Sequence, residues 1–238
     1  MEPRANDLVI VTGASKGIGR ATAKALVIQH GVRVLAVSRD AASLGTLREE
    51  CHGGPGALDI AAIDLSTPTY VDEVISAVAG RKVRALVHNA GHLLNRTMGA
   101  HTAKDLDHLF HVNVVAPLLL SQALVDALAG DPPGHIVHIG SMGGFQDSSK
   151  FPGLVAYSAS KAALACAAQC LAEEFKDRGI RSNCLALGSV DTDMLRAAFP
   201  DFQAPTTADE MGAFVAEFAL RGHKLFNGKV LPVAATTP

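Results

Sequence analysis

A short apolar segment that leads through a glycine-rich turn into a helix constrains this chain more than any other feature. The segment Leu8-Val-Ile-Val11 contains no polar residue, which is typical of a strand buried on both faces of a parallel sheet. The turn Thr12-Gly-Ala-Ser-Lys-Gly-Ile-Gly19 follows, and residues 20–30 then have helical spacing. Glycines let the backbone approach a ligand closely, and free N–H groups at the start of a helix attract anions. The succession therefore predicts a phosphate site for a nucleotide, with the spacing G-x-x-x-G-x-G instead of the more common G-x-G-x-x-G.

The end of the second predicted strand, residues 32–37, indicates which nucleotide this site takes. In dinucleotide-binding folds an acid at this place holds the adenosine ribose, whereas a basic residue accommodates a 2′-phosphate. Ser38 and Arg39 stand here, and Lys16 in the glycine turn adds a second positive charge. A guanidinium can bind a phosphate through two parallel hydrogen bonds. We therefore expect NADP(H) rather than NAD(H), unless Arg39 is only a solvated loop charge and Asp40 holds the ribose.

Strand and helix patterns alternate along the whole chain. Further strands are predicted over residues 57–63, 85–88, 134–139, 181–187 and 229–233, and further helices over residues 41–50, 69–79, 103–128 (bent at Pro117) and 156–178. No internal repeat or low-complexity linker interrupts them. The pattern predicts an α/β fold: a single doubly wound (Rossmann) seven-stranded parallel sheet with helices on both faces, in one domain over residues 1–238.

Composition excludes several other kinds of protein. The 48% hydrophobic content and the net charge of -2 indicate a globular chain and favour neither nucleic acid nor an acidic membrane surface as a partner. No apolar run approaches about 18 residues, so we expect no membrane span. The start lacks a signal-peptide pattern, so we expect a cytoplasmic protein. The four cysteines form no C-x-x-C or His/Cys cluster, so we expect buried free thiols and no metal site.

Tyr157 and Lys161 are the strongest candidates for chemistry. They lie four residues apart near the start of a long Ala/Leu-rich helix, so their side chains share one face. A positive charge near a phenol favours the phenolate, and we expect it to lower the pKa of Tyr157 from near 10 by roughly 1–3. Tyr157 would then be a proton donor and acceptor near neutral pH. On its own, such a pair is usually a surface tyrosine beside a solvated lysine, so the other motifs decide.

Several polar or small residues follow strands and so meet at the carboxyl edge of the sheet, where ligands bind in such folds. Asp64 and Leu65 end the third strand, and the Asp64 carboxylate could meet the amino group of an adenine. The others are Asn89-Ala90-Gly91 after the fourth strand, Ser141 after the fifth, and the loop that begins at Gly188 after the sixth.

In this order and spacing, the motifs resemble the short-chain dehydrogenase/reductase family over nearly the whole chain. The resemblance is carried by Thr12–Gly19, Asp64, His88-Asn89-Ala90-Gly91, Asn113, Ser141, Tyr157 with Lys161, and Asn183 through Gly188 to Thr192. It implies an oxidoreductase that transfers a hydride between NADP(H) and a carbonyl or alcohol.

The resemblance also implies roles for individual residues. Ser141 would bind the substrate oxygen, Tyr157 would pass the proton, and Lys161 would hold the nicotinamide ribose. Asn113 would anchor a water on the proton path. The cofactor would be bound by Gly13, Ser15, Lys16, Gly17, Ile18, Gly19, Ser38, Arg39, Asp64, Leu65, Asn89, Ala90, Gly91, Tyr157, Lys161, Val190 and Thr192.

The chain departs from the family pattern at several positions. His88 replaces the first Asn of N-N-A-G, and His138 replaces the Asn that usually precedes the serine by three. We interpret both as structural polar residues, although His88 and His92 lie near the substrate edge. The segment between Ser141 and Tyr157 is longer than usual, and we expect residues 144–153, here called the lip, to cover the active site.

The substrate is expected to be a small or medium, largely apolar ketone or aldehyde, or the corresponding secondary alcohol. The substrate loop, residues 188–205, should close over it. Candidate pocket residues, which could equally belong to the core, are Met142, Phe145, Phe151, Leu154, Met194, Leu195, Phe199 and Phe202.

Assembly and two other functions stay open at this point. The helix from residue 156 is apolar nearly all round, so we expect a second copy to cover its outer side in a homodimer or homotetramer. An epimerase or lyase of the same fold is one alternative. A non-catalytic NADP-sensing protein is another, although it would be expected to lose Tyr157 or Lys161.

Overall fold

The computed structural model of the protein describes residues 8–234. Its strands are β1 (Leu8–Thr12), β2 (Arg33–Ser38), β3 (Ala57–Ala62), β4 (Val83–His88), β5 (Gly134–Ile139), β6 (Ile180–Leu187), β7 (Val190–Asp191), β8 (Thr206–Thr207) and β9 (Val230–Val233). Seven of them form one parallel sheet in the order β3-β2-β1-β4-β5-β6-β9. The predicted doubly wound sheet is therefore confirmed. The strand order reverses between β1 and β4, which opens a crevice at their carboxyl ends.

Helices cover the sheet on both faces. They are α1 (Gly17–Ile28), α2 (Ala41–Glu50), α3 (Tyr70–Val78), α4 (Ala103–Phe110), α5 (Ala116–Ala123), α6 (Val125–Leu128), α7 (Val155–Glu174), α8 (Asp193–Ala198) and α9 (Ala208–Arg221). One hydrophobic core joins the sheet to α1, α2 and α9, and a second joins it to α3, α5 and α6. Within residues 8–234, every helix is too short or too polar to span a bilayer.

The segment predicted as one helix over residues 103–128 is helical, but it is interrupted twice. After α4 the chain forms a π-helical turn, His111–Val115, before α5 begins, and Leu124 separates α5 from α6. The π-helical turn contains Asn113, whose fully buried side chain bonds to a neighbouring loop. Such turns occur mostly as local bulges in helices and often mark functional sites. The apolar periodicity on both sides continues through the bulge, which is why the pattern predicts one helix.

The helix predicted over residues 156–178 ends earlier, at Glu174. A 3₁₀ turn, Lys176–Arg178, follows and ends at Gly179, which has a φ of 66°. Gly179, the predicted end of the helix, therefore ends the 3₁₀ turn and not the α-helix. The exposed positions of α7 correct a second prediction, because Cys166 and Cys170 are exposed rather than buried, while Cys51 and Cys184 are buried. A helix rich in alanine on all sides gives little indication of which side faces the sheet.

Two short strands were not predicted from the sequence. Val190 pairs with Thr206, and Asp191 pairs with Thr207. Strands of two residues carry no alternation that a pattern could detect. Their pairing joins the two ends of the substrate loop, so that α8 and its flanking residues are held close to the carboxyl edge of the sheet.

Candidate active site

A cavity of about 960 Å³ lies at the carboxyl edge of the sheet. Most predicted site residues line it: Gly13, Ser15, Lys16, Gly17, Ile18, Ser38, Arg39, Asp64, Leu65, Asn89, Ala90, Gly91, Ser141, Tyr157, Lys161, Val190 and Thr192. Gly19 and Asn113 do not line it. The topology therefore brings the separate sequence motifs to one site.

Two glycines of the first turn have backbone conformations that other residues rarely adopt. Gly13 has a φ of 67° and Gly17 a φ of 55°. A side chain at Gly13 would place its Cβ 2.7 Å from the Cα of Ala90. At Gly19 a Cβ would lie 2.2 Å from Nδ2 of Asn89, so Gly19 is required by the packing of the protein on itself. Gly19 does not line the cavity, and its contact with a cofactor remains a prediction.

Thr12 and Asn89 fasten the first turn to the end of β4. The Thr12 hydroxyl accepts hydrogen bonds from the N–H groups of Asn89 and Ala90, both at 3.1 Å, and donates to the carbonyl of Val87 at 3.3 Å. The Asn89 side chain donates to the carbonyls of Thr12 at 3.0 Å and Gly13 at 3.1 Å. Asn89 thus lines the cavity while its amide group positions the turn. Thr12 belongs to the predicted motif, but nothing in the spacing of the motif indicates that its hydroxyl bonds to the end of β4.

The start of α1 and the end of β2 form the cationic part of the cavity. Lys16 is the N-cap residue of α1 and makes no side-chain cap, so the N–H groups of the first helical turn stay available. Lys16 and Arg39 are exposed, and no hydrogen bond or ion pair within residues 8–234 engages either side chain. An anion with several oxygens matches this set, because both the helix start and the two cations attract negative charge.

Asp40 is already occupied as a helix cap. Its carboxylate accepts hydrogen bonds from the Ser43 N–H at 3.0 Å and the Ser43 hydroxyl at 2.6 Å, which lower the pKa of Asp40. It does not line the cavity, whereas Ser38 and Arg39 do. The Ser38 hydroxyl donates to that of Ser15 at 2.9 Å. The alternative in which Asp40 holds a ribose therefore has no support in this geometry.

Asp64 reaches the cavity from the end of β3. One of its oxygens, Oδ1, accepts from the N–H and hydroxyl of Ser66 at 2.9 and 2.8 Å, and these bonds lower the pKa of the carboxyl group. Arg39 and His108 lower it further through their charges. Asp64 is therefore ionised at neutral pH and is held in one orientation.

Ser141, Tyr157 and Lys161 converge at the other end of the cavity. The side chains of Ser141 and Tyr157 are hydrogen-bonded to each other, and the Ser141 hydroxyl also accepts from the Gly143 N–H at 3.1 Å. The Lys161 ammonium donates to the Ile139 carbonyl at 2.8 Å and lies 5.8 Å from the centre of the Tyr157 ring. Lys161 is only 4% exposed. The prediction that the side chains of Tyr157 and Lys161 share one face of the helix is confirmed, since both line the same cavity.

The predicted lowering of the Tyr157 pKa is wrong in direction. Burial raises the pKa of the phenol, and the hydrogen bond with Ser141 only partly offsets this. Burial also lowers the pKa of Lys161 to about 8. A lowered pKa would require an ammonium close to the phenol oxygen in a polar medium. Instead the ammonium bonds to the Ile139 carbonyl, and desolvation dominates for both groups.

Asn113 holds the loop after β4 and the first turn of α7 together. Its amide N–H₂ donates to the His92 carbonyl and to the Ser160 hydroxyl, both at 2.9 Å, and its oxygen accepts from the His92 N–H at 2.7 Å. Ser160 in turn donates to the Tyr157 carbonyl at 2.7 Å. Asn113 is therefore linked to the backbone of Tyr157 through Ser160, a residue that the sequence motifs do not mark.

The two histidines that depart from the family pattern contact each other. His88 and His138 are aligned on neighbouring strands, and their rings stack with centroids 5.1 Å apart. Ser121 donates to the Pro117 carbonyl at 2.7 Å, so the His88 ring at 2.9 Å is the donor to its hydroxyl. Both rings are buried, and burial lowers the pKa of each, to about 3 for His138. Buried, neutral and stacked rings agree with a structural role.

His92 and His108 line the cavity and were not predicted as site residues. Their rings meet edge to face with centroids 4.9 Å apart. Burial and the charges of His108 and Arg39 lower the pKa of His92. His92 was noted only for its place in the chain, and His108 lies on α4 with no motif around it.

The apolar part of the cavity contains seven of the eight predicted pocket residues. Phe145 is the exception: it does not line the cavity. Its carbonyl accepts from the Ser148 hydroxyl at 3.0 Å and the Lys150 ammonium at 2.6 Å, which folds the lip onto itself. Further lining residues that were not predicted include Leu93, Val112, Met211 and Phe214.

The fold and the site together define a Rossmann-type α/β protein with a phosphate-binding turn and a Ser/Tyr/Lys group. The family model for short chain dehydrogenases matches residues 7–202. The chain therefore belongs to the short-chain dehydrogenase family of oxidoreductases.

Individual relatives agree with this assignment. The chain is similar to the protein FixR of Bradyrhizobium diazoefficiens, with 37% identity over 84% of this chain and 72% of the relative. It is similar to the NADPH-dependent aldehyde reductase-like protein of Arabidopsis thaliana, with 31% identity over 97% of this chain and 94% of the relative. A solved short chain dehydrogenase from Burkholderia cenocepacia in complex with NADP has a TM-score of 0.86 and 29% identity, and the match covers 98% of each chain.

Proposed function

We propose that the protein is an NADP(H)-dependent oxidoreductase that transfers a hydride between the nicotinamide and a small or medium, largely apolar ketone or aldehyde, or the corresponding alcohol. One observation carries the proposal. A single cavity is lined by a cationic, glycine-rich anion site at one end and by the hydrogen-bonded Ser141 and Tyr157 beside Lys161 at the other.

The cationic end supports NADP(H) as the cofactor. The start of α1 would hold the pyrophosphate, and Arg39 with Lys16 would bind the 2′-phosphate, because both side chains are exposed and neither makes an ion pair within residues 8–234. Asp64 would receive the adenine amino group at its remaining oxygen. The Arabidopsis relative is named as NADPH-dependent, and the Burkholderia structure contains NADP.

The catalytic end supports proton transfer by Tyr157. The bound cofactor would supply or accept the hydride. At neutral pH the phenol is protonated, since burial raises its pKa, and this is the form that donates a proton to a carbonyl oxygen. Ser141 would donate a hydrogen bond to the same oxygen and stabilise its developing charge. Lys161, held by the Ile139 carbonyl, would place its ammonium beside both the phenol and the ribose of the cofactor.

Asn113 supports this arrangement from behind the cavity wall. We propose that it positions Tyr157 through Ser160 and that the water predicted on the proton path lies near its backbone. Its side chain bonds to the backbone of His92 and to the Ser160 hydroxyl, so it anchors the loop after β4 to α7.

A second copy of the chain is the proposed partner, in a homodimer or homotetramer. The outward side of α7 exposes Val155 at 53%, and the neighbouring α5 region exposes Val115 and Leu119 at 39% each. These apolar side chains, with the exposed Cys166 and Cys170, form a surface suited to burial against the same surface of another copy.

The test is a panel of apolar ketones and aldehydes incubated with NADPH and, separately, with NADH, while the NADPH or NADH absorbance band is followed. We expect oxidation of NADPH by several members of the panel and a slower reaction with NADH. Product formation without net NADPH consumption would point to an epimerase or lyase. NADPH binding without any turnover would point to a sensing protein and contradict the proposal.

A further inference from the structure

The lip, the loop after β4 and the substrate loop meet over the apolar end of the cavity. The ring of Phe151 in the lip meets that of Phe199, just after α8, edge to face at an interplanar angle of 64°, with centroids 6.5 Å apart. Both rings line the cavity. The lip runs directly into α7, so Phe151 lies only six residues before Tyr157.

Asn95 and Arg96, in the loop after β4, bond to the two segments that carry these rings. The Asn95 amide N–H₂ donates to the Ala198 carbonyl at 2.8 Å, which fastens the residue next to Phe199. The Arg96 N–H donates to the Gly153 carbonyl at 2.9 Å, which fastens the lip two residues after Phe151. Gly153 has a φ of 83°, and a Cβ there would lie 2.0 Å from Oδ1 of Asn95. The loop after β4 therefore connects both halves of the ring pair.

The surface around the two rings is apolar and partly uncovered. Phe151 is 46% exposed, Phe202 49% and Met194 38%, and all three line the cavity. Such exposed side chains gain free energy when an apolar ligand covers them. The carboxylate of Asp193, which also lines the cavity, is paired with Arg196 at 2.7 Å, so its charge is offset.

Phe151 and Phe199, here called the aromatic wall, should bind a planar ring more strongly than an aliphatic group of equal size. Aromatic rings bind other rings in edge-to-face or offset arrangements more strongly than area alone predicts. Methionine sulfur adds a favourable contact with an aromatic edge, and Met142 and Met194 line the same cavity. We propose that Phe151 and Phe199, positioned by Asn95, select carbonyl substrates that carry an aromatic ring close to the reacting carbon. This inference rests on the proposed function and names the substrate class of that site.

The test compares phenylacetone with cyclohexylacetone. In both ketones a methylene separates the ring from the carbonyl, so the ring does not change the electrophilicity of the carbonyl by conjugation. The wild-type protein should show a kcat/KM for phenylacetone roughly 3- to 10-fold higher than for cyclohexylacetone. Phe151→Leu should bring the ratio close to one, and Phe199→Leu provides a second variant if the first does not fold. Phe145→Leu in the same lip is the matched control and should keep the wild-type ratio, because Phe145 does not line the cavity.

Asn95→Ala tests the positioning role. It should lower the phenylacetone preference through a higher KM for phenylacetone with little change in kcat, and Asn95→Gln should restore part of it. A structural defect would instead lower kcat for both ketones equally, and that result would overturn the role of Asn95.

NADPH binding, followed by the fluorescence of the nicotinamide, distinguishes a failure of the aromatic preference from a failure of the proposed function. Equal kcat/KM values for the two ketones in a wild-type protein that binds NADPH and turns both over would overturn the aromatic wall and leave the proposed function standing. A preference that survives in both Phe151→Leu and Phe199→Leu would overturn it as well. Absence of NADPH binding and of all turnover would remove the proposed function and this inference together.

Discussion

Acidification should destabilise this protein well before its carboxylates are protonated, because three imidazoles are buried in the sheet. His88, His135 and His138 are at most 2% exposed. Burial lowers the pKa of His135 and of His138 from 6.5 to about 3, and lowers that of His88 in the same direction. In the unfolded chain these rings titrate near 6.5.

The sign follows from proton binding. Between pH 7 and pH 5 the unfolded chain takes up a proton at each of these rings and the folded chain does not, so the free energy of unfolding falls as the pH falls. A ring whose pKa is about 3 in the folded protein lowers the free energy of unfolding by about 2 kcal/mol between pH 7 and pH 5. Together, His135 and His138 lower the free energy of unfolding by about 4 kcal/mol, and His88 lowers it further. The total stability of a protein is typically about 5–15 kcal/mol.

The assay is urea unfolding followed by circular dichroism at several values between pH 5 and pH 7. His138→Asn should make the fall in the free energy of unfolding between pH 7 and pH 5 smaller by about 2 kcal/mol and so reduce the slope against pH, whatever it does to stability at pH 7. His52→Asn, at an exposed position, is the control and should leave the slope unchanged. A wild-type stability that is the same at both ends of this range, or an unchanged slope in His138→Asn, would refute the reasoning.

Three further substitutions probe other parts of the account. Arg39→Asp should weaken NADPH binding by about tenfold or more and bring the preference toward NADH, because it replaces the exposed cation at the end of β2 by a carboxylate. Equal NADPH titrations for the variant and the wild type would speak against the phosphate role. Thr12→Val should lower the free energy of unfolding by about 1–3 kcal/mol for each of the two N–H groups that lose their acceptor, measured by urea unfolding, and a loss below about 0.5 kcal/mol would contradict the fastening of the turn. Ser141→Ala should reduce kcat by about 10²–10³ with NADPH affinity unchanged, and a variant with normal kcat would exclude Ser141 from stabilising the substrate oxygen.

The strand–turn–helix pattern and the order of the motifs were enough to predict the sheet and to bring most site residues together. Buried strands have continuous apolar runs, and the carboxyl edge of a parallel sheet collects whatever follows them. What failed depends on contacts between distant residues. The bulge contains Asn113, whose side chain bonds to His92, a residue 21 positions away. The direction of the Tyr157 pKa depends on how deeply the phenol is buried, which spacing along a helix does not encode.

The lip shows the same division between pattern and contact. Its length, and the apolar character of Phe145 and Phe151, can be read from the chain. Only the fold separates them, because Phe151 faces the cavity whereas the chain around Phe145 closes on itself through Ser148 and Lys150.

The most direct test of the central claim, that the Tyr157 phenol exchanges the proton with the substrate oxygen, is single-turnover reduction of phenylacetone by the NADPH-loaded Tyr157→Phe variant. We expect a rate about 10²–10⁴-fold lower than that of the wild type, with NADPH bound equally well. A variant that binds NADPH and reduces the ketone within a few-fold of the wild-type rate would contradict it.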